Sequence, residues 1–378
     1  MDSFKNFAKV TVSTGYDASA TSIVLSGGHG AKLPTAPFNA TWWNSTDYAD
    51  PTDDPNVEIV RVTAIVTDTL TVTRGQESIS ATTKNTASKT YKMIAGLTAK
   101  TLNTDISAGG IVAQTVNGRL TLQSGVAVST TDQTAKTTIY FTPYQGNRIA
   151  LFDGSAWAGI SFTELSLALG TLVIDKNYDV FVWNNAGTLT LELGAAWTSD
   201  IARADAISLQ DGVYVKSGAT TRRYLGTFRT TTATTTEDSL LKRFVWNRAN
   251  SMGRDVYFTD AVMHTYDGAV RMWANSPDSR IQFVSGLAEE VIGINVSAEM
   301  TAATAGYFII AGIGLDGLTP YRTLETYVQS NASGLSTKSS ATEAMAPQLG
   351  YHALNLLQRT FSGPGDFKSG TISAIVRC

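Results

Sequence analysis

At 378 residues the chain has room for two or three domains, each with its own core, and three are expected. Charged residues make up 16% of it, against roughly 25% in typical globular domains, while 43% are hydrophobic, so Ser and Thr must cover much of the surface. That exchange favours β-structure, and a formal net charge of -3 gives no global case for a nucleic acid or an anionic membrane as partner.

The single cysteine, Cys378, excludes an intramolecular disulfide framework and suits assembly in a reducing cytoplasm. The opening "MDSFKNFAKVTVSTG" lacks the apolar core of a signal peptide, and no run approaches the roughly 18 apolar residues of a spanning helix. Neither classical export nor membrane insertion is therefore expected.

In chain order, "KVTVSTG" and "TSIVLSG" alternate as short strands, and "GGHGAKLP" supplies a glycine-rich turn closed by proline. "PFNATWWNSTDYADPTDDPNV" reads as an irregular aromatic loop holding Phe38, Trp42, Trp43 and Tyr48. "EIVRVTAIVTDTLTVTRGQES" predicts a hairpin turning at Thr67 and Asp68, with Leu70 and Val72 on one face and Thr69, Thr71 and Thr73 on the other. A first domain is expected over residues 1–106. After "ISAGG", alternation resumes in "GRLTLQSGVAV" and runs to "GVYVKSGATTRRYLGTFR", with "NNAG" as the strongest hairpin turn and "DIARADAISL" as a helical turn. Strand alternation spreads Arg222, Arg223 and Arg229 over different faces, so they read as a solvated strand rather than a basic patch. This second domain covers 107–232.

The low-complexity "TTTATTTEDS", Thr230 to Ser239, reads as a boundary. Beyond it "LLKRFVWNRANS" opens a third domain over 240–378 as a short helix or strand, and strands continue to the end. The fold class is thus all-β, with tandem antiparallel sandwich or barrel domains and a jelly-roll-like C-terminal sandwich. No fixed-period repeat points to a propeller or a solenoid.

Motifs for chemistry are weak. "GIGLDG" matches a dinucleotide-binding pattern in letters, but Pro320 blocks the helix that would hold a pyrophosphate, so it reads as a β-turn. His29, His264 and His352 have no His or Cys at ligand spacing, so neither metal nor cofactor is expected. Asp53 with Asp54, and Glu289 with Glu290, are adjacent on the chain and point opposite ways, which is not the glycosidase arrangement of two facing carboxyls. No catalytic residue is assigned, and the chain is expected not to be an enzyme. Aromatics remain: Trp42 and Trp43 are candidates for docking or local core, while Trp273, Tyr321 and Tyr327 are candidates for stacking on sugar rings, with core packing the favoured reading of each taken singly.

The succession "GAKLP", the aromatic loop, "EIVRVT", "DTLTVTRGQE" and "GLTA", over Phe7 to Ile106, resembles an N-terminal module of tailed-bacteriophage tail-fibre and appendage proteins. The second segment looks like a domain of phage virion proteins, and the third is broadly similar to C-terminal domains of phage adhesins. The resemblance implies a virion structural protein, assembled in the host cytoplasm and placed on the tail or another appendage. Its first domain would attach to other virion proteins, with Trp42, Trp43 and Arg74 as docking candidates. A homotrimer would present the last domain to a bacterial surface glycan. A purely architectural head-fibre, decoration or connector protein is the alternative, and a polysaccharide depolymerase tailspike the third reading.

Overall fold

The computed structural model describes residues 2–101, 113–329, 334–361 and 363–378. The chain divides into two compact units, Met1–Val112 and Ala113–Cys378. The boundary expected at Ile106 lies outside the described residues. The one expected at Thr230–Ser239 falls inside the second unit.

The first unit is a single antiparallel sheet of short strands: β1 (Lys9–Thr11), β2 (Ser22–Val24), β3 (Phe38–Asn44), β4 (Glu58–Val66), β5 (Thr69–Thr73) and β6 (Tyr91–Ile94), in the order β1-β6-β3-β4-β5-β2. Its two edges meet where Val12 bridges Leu25, so the sheet curls onto itself and removes most of its own edge. Alternation drives this closure. Leu70 and Val72 of β5 and Val60 and Val62 of β4 are buried together with Ile23, Phe38 and Trp42, while Thr71 and Thr73 face solvent as the sequence predicts.

The β4–β5 turn sits at Thr67 and Asp68, and Thr67 takes a positive φ of 54°. It is tied down from across the unit: the Asp68 carboxylate accepts the backbone N–H groups of Gly28 (2.8 Å) and Gly30 (2.7 Å). Glycine is required at position 30, because a Cβ there would stand 1.8 Å from Thr67 O. His29, in the same turn, accepts a bond from the Thr11 N–H at Nδ1 (2.9 Å).

The second unit is built entirely from sheets and short turns among its described residues. In its first half, a sheet ordered Thr188–Leu193, Asn177–Asn185, Ala219–Arg229, Val213–Lys216, Ile207–Gln210 encloses a core with the sheet formed by Gly118–Thr121, Thr138–Pro143 and Leu165–Ala168. The "NNAG" hairpin forms as expected. Ala186 (φ 49°) and Gly187 (φ 98°) both sit in the left-handed region that two-residue hairpin turns require. The "DIARADAISL" segment contains no helical turn: Ser199 and Ala202 form a bridge, and Ile207–Gln210 is a strand.

The second half is a sandwich. One sheet carries Phe308–Leu315, Pro320–Gln329, Gly350–Phe361 and Arg280–Ser285, and the facing sheet carries Gly253–Asp260, Gly365–Arg377, Ile292–Ala302 and Ser336–Met345. The chain changes sheet at almost every step, in jelly-roll-like fashion, and Ile281, Phe283, Val296, Met300, Ile313, Leu356 and Phe367 fill the space between. "GIGLDG" is the turn of a strand hairpin, as read, with Asp316 at φ 56°.

Thr230–Ser239 does not space two bodies apart. Thr236–Asp238 is a strand that pairs with Gln133–Lys136 and with Lys242–Arg243, and the latter extends the large sheet of the sandwich through a parallel pairing. The buried hydroxyls of Thr230 and Thr236 bond backbone carbonyls of Val173 (2.8 Å) and Arg229 (2.6 Å). The threonine-rich segment read as a boundary here satisfies buried backbone.

Candidate functional site

The site singled out by the sequence is the hairpin with its arginine-glycine end and the adjacent tryptophans. Glu58 opens β4 and is fully buried. Hairpin register brings it diagonally opposite Arg74, just past the end of β5. Arg74 Nε and Nη2 donate to the two carboxylate oxygens at 2.7 Å each, the bidentate arrangement that a planar guanidinium favours. Glu58 accepts two more bonds from the N–H groups of Gly75 (3.0 Å) and Thr82 (3.1 Å). Burial pushes this carboxyl up, but the bonds from Arg74, Thr82 and Gly75 outweigh it and hold the acid below its usual range.

Arg74 spends its remaining donors on its own chain. Nη1 donates to the carbonyls of Asp17 (2.8 Å) and Ala20 (3.2 Å), and Nη2 also donates to Thr82 O (2.7 Å). All the N–H groups of a guanidinium are then in use. Lys84, fully buried, lies 3.7 Å from Glu58 Oε2 and donates to Asn56 O (2.5 Å) and to the Thr82 hydroxyl. Burial lowers its pKa, and Glu58 and Asp54 partly offset that. Both cations lie over the Trp42 ring, Arg74 at 4.8 Å and Lys84 at 5.7 Å from its centroid.

The three docking candidates all lie within the unit, and the two tryptophans take the local-core alternative. Phe38–Asn44 is a strand rather than an irregular loop, and Trp42 (0% exposed) and Trp43 (3%) point to opposite faces that are both covered. Trp43 donates its indole N–H to Tyr48 O (3.2 Å), where the turn Pro51–Asp53 packs on the strand. Neither ring has a free face, and Arg74 has no free donor. The exposed apolar side chains of the unit are others, among them Phe7 (98% exposed), Val66 and Leu97. Nothing in their sequence pattern distinguishes them, because single exposed apolar residues are common.

The sugar-stacking candidates are scattered. Trp273 is buried in the sandwich core, edge-on to Phe367 and His264. Tyr321 is half-buried, and its hydroxyl accepts from the Ala346 N–H (3.3 Å). Tyr327 is exposed beside Phe308. Tyr321 and Tyr327 share a strand but lie roughly 20 Å apart along it at 3.3 Å per residue, so they do not form one platform.

The second unit holds a further polar cluster that sequence reasoning missed. Asp179 accepts from Arg203 Nε (2.7 Å) and the Thr227 hydroxyl (2.6 Å), Thr227 meets the Tyr224 hydroxyl (2.6 Å), and Arg203 lies 4.3 Å over Trp197. Burial pushes Asp179 up despite Arg203. Four chain segments converge here, so no local spacing marks it. Among the described residues no group of His, Cys, Asp and Glu is arranged to hold a metal ion.

No family model matches the chain, and no curated protein matches it. Solved structures give remote likenesses. The VP2 subviral particle of infectious bursal disease virus is 10% identical, with 61% of this chain and 65% of that one covered and a TM-score of 0.24. T=1 particles derived from infectious bursal virus give 10%, 73%, 74% and 0.26. An insecticidal delta-endotoxin from Bacillus thuringiensis gives 9%, 69%, 52% and 0.20. At these TM-scores the likeness carries no argument about fold or function.

Proposed function

We propose that the chain is a non-enzymatic structural protein of a tailed-bacteriophage virion, a tail-fibre or appendage component. Its first unit attaches to the particle, and its C-terminal sandwich meets a host-surface glycan. The observation that carries this reading is the ordered succession from "GAKLP" to "GLTA", whose pieces fold into one closed module. "GAKLP" follows the turn held by Asp68, "EIVRV" and "LTVT" form the hairpin, and "RG" closes the ion pair with Glu58. The Glu58 charge and the donors of Arg74 in that module are satisfied internally, which suits a mount whose shape must not change under load.

Attachment then falls to exposed groups such as Phe7, Val66 and Leu97 rather than to the tryptophans. Three copies around an axis would multiply weak glycan contacts into durable adhesion. Purified protein is expected to adsorb to host cells and to compete with phage for them. If it enters particles but never touches the host, the architectural alternative replaces the adhesin. Sustained release of reducing ends from host polysaccharide would replace both with a depolymerase.

A further inference from the structure

The buried arginines of the second unit are not alike. Arg203 faces Asp179, Arg229 faces Asp200 and Arg243 faces Asp238, while Arg119 donates to the carbonyls of Ala127 (3.3 Å) and Cys378 (2.8 Å). Arg223, 5% exposed, faces no carboxylate among the described residues. Its Nη1 donates to the carbonyls of Ala113 (2.6 Å) and Ala150 (2.7 Å), and the Trp157 ring lies 5.6 Å from the guanidinium. The Nε and Nη2 groups have no partner among the described residues. That is the edge with which Arg74 holds Glu58 in the first unit.

Arg223 lines a cavity of about 180 Å³, together with Gln114, Phe141, Tyr214 and Arg248. Among the described residues the lining holds no Asp or Glu. Arg248 stands 5.3 Å over the Tyr214 ring and pairs with Glu289 at 3.5 Å, and Glu289 also accepts from the Tyr214 hydroxyl (3.2 Å). Glu289 offsets Arg248, so about one positive charge, that of Arg223, is left unmatched. Burial, with Arg248 adding to it, pulls the Arg223 pKa down to about 9, which still leaves it charged at neutral pH.

We propose that this cavity is a binding site for one carboxylate carried on a small, partly apolar body, the chemistry of an acidic sugar residue. The vacant guanidinium edge fits a carboxylate in bidentate fashion. One unmatched charge suits a monoanion better than a phosphate. The volume is below the roughly 300–1,000 Å³ of drug-sized ligand sites, so it takes one sugar ring or part of one rather than a chain. Phe141 supplies an apolar wall, and Gln114 and Tyr214 supply polar groups for ring hydroxyls. The carboxylate assignment stands on the cavity alone; the cavity lies outside the sandwich of 253–378, so its role in host recognition rests on the adhesin reading above and would add a second contact to that of the sandwich.

The test is calorimetric titration of the full chain with glucuronate, glucose and inorganic phosphate at low salt. Glucuronate is expected to bind and glucose not to. Arg223→Lys keeps a cation but loses the planar fork and is expected to weaken glucuronate by at least about tenfold. Arg248→Gln, at the exposed rim, is expected to weaken it by about threefold and guards against a fold defect in the first variant. Equal binding of glucose, binding of phosphate alone, or glucuronate binding unmoved by both substitutions overturns the site. Protein that blocks adsorption yet ignores glucuronate also overturns it and leaves the adhesin reading standing. Protein that binds glucuronate but neither adsorbs nor blocks infection leaves the cavity assigned and removes its host role.

Discussion

Arg74 and Glu58 meet through two parallel bonds of 2.7 Å, at the mouth of a hairpin whose turn is fixed to another loop by Asp68. One end of the hairpin is thus locked by a buried ion pair and the other by a capped turn. Removing either lock exposes what it does.

Glu58→Gln leaves Arg74 and Lys84 buried without their anion. Breaking a buried pair from one side costs about 3–5 kcal/mol, and amide exchange across 58–74 is expected to accelerate accordingly. The sign of the pH effect follows from the lowered pKa of Glu58. The stabilisation is present above the ordinary carboxyl value of 4.5 and is lost as pH falls through the lower folded value. Protection of these strands should therefore decline on acidification below about 4.5 in the wild type, and less steeply in the variant.

Gly30→Ala places a methyl 1.8 Å from Thr67 O, a backbone atom that cannot swing away. The loop must separate from the hairpin turn, at a cost of about 1–3 kcal/mol or more. Urea unfolding is expected to show a lower midpoint with an unchanged slope.

Trp42→Ala and Phe7→Ser separate core from contact. The first opens a cavity in the closed sheet and should cost about 3–5 kcal/mol. The second removes a fully exposed ring, so stability should hold within about 0.5 kcal/mol while incorporation into particles falls. Quantifying the chain in purified particles beside its melting temperature distinguishes the two.

The hairpin, its turn and the inward Leu70 and Val72 are legible in the sequence because period-2 alternation is a local signal that tertiary packing here reinforces. The Glu58–Arg74 pair is less legible, because the bulge between Val62 and Ala64 shifts the register: Arg61 stands opposite Thr73, and Glu58 meets Arg74 across a diagonal beyond the paired residues. Adjacent Trp42 and Trp43 were harder. A strand offers two faces, and the second is met by Tyr48 and the turn at Pro51–Asp53, which no strand pattern foretells. Arg222 and Arg223 do alternate, yet both faces are occupied: Arg222 lies 3.9 Å over Trp183 beside Glu192, and Arg223 enters the cavity. The reading of a solvated strand face fails for Arg223 because the layer over it comes from distant residues 113, 150 and 157.

Asp179→Ala in the second unit strands Arg203 among Trp197, Tyr224 and the Thr227 hydroxyl. About 3–5 kcal/mol of destabilisation is expected, read as a lowered midpoint in thermal unfolding. Double substitution with Arg203→Met should recover part of it, because the uncompensated charge leaves with its partner.

The most direct measurement is the position of this chain in electron cryomicroscopy of the intact particle. Copies are expected at an appendage, with residues 2–101 against the particle and the sandwich of 253–378 pointing outward, repeated about a threefold axis. Particles that lack the chain, or protein found only as a free monomer that cleaves polysaccharide, would contradict a role in holding surfaces together.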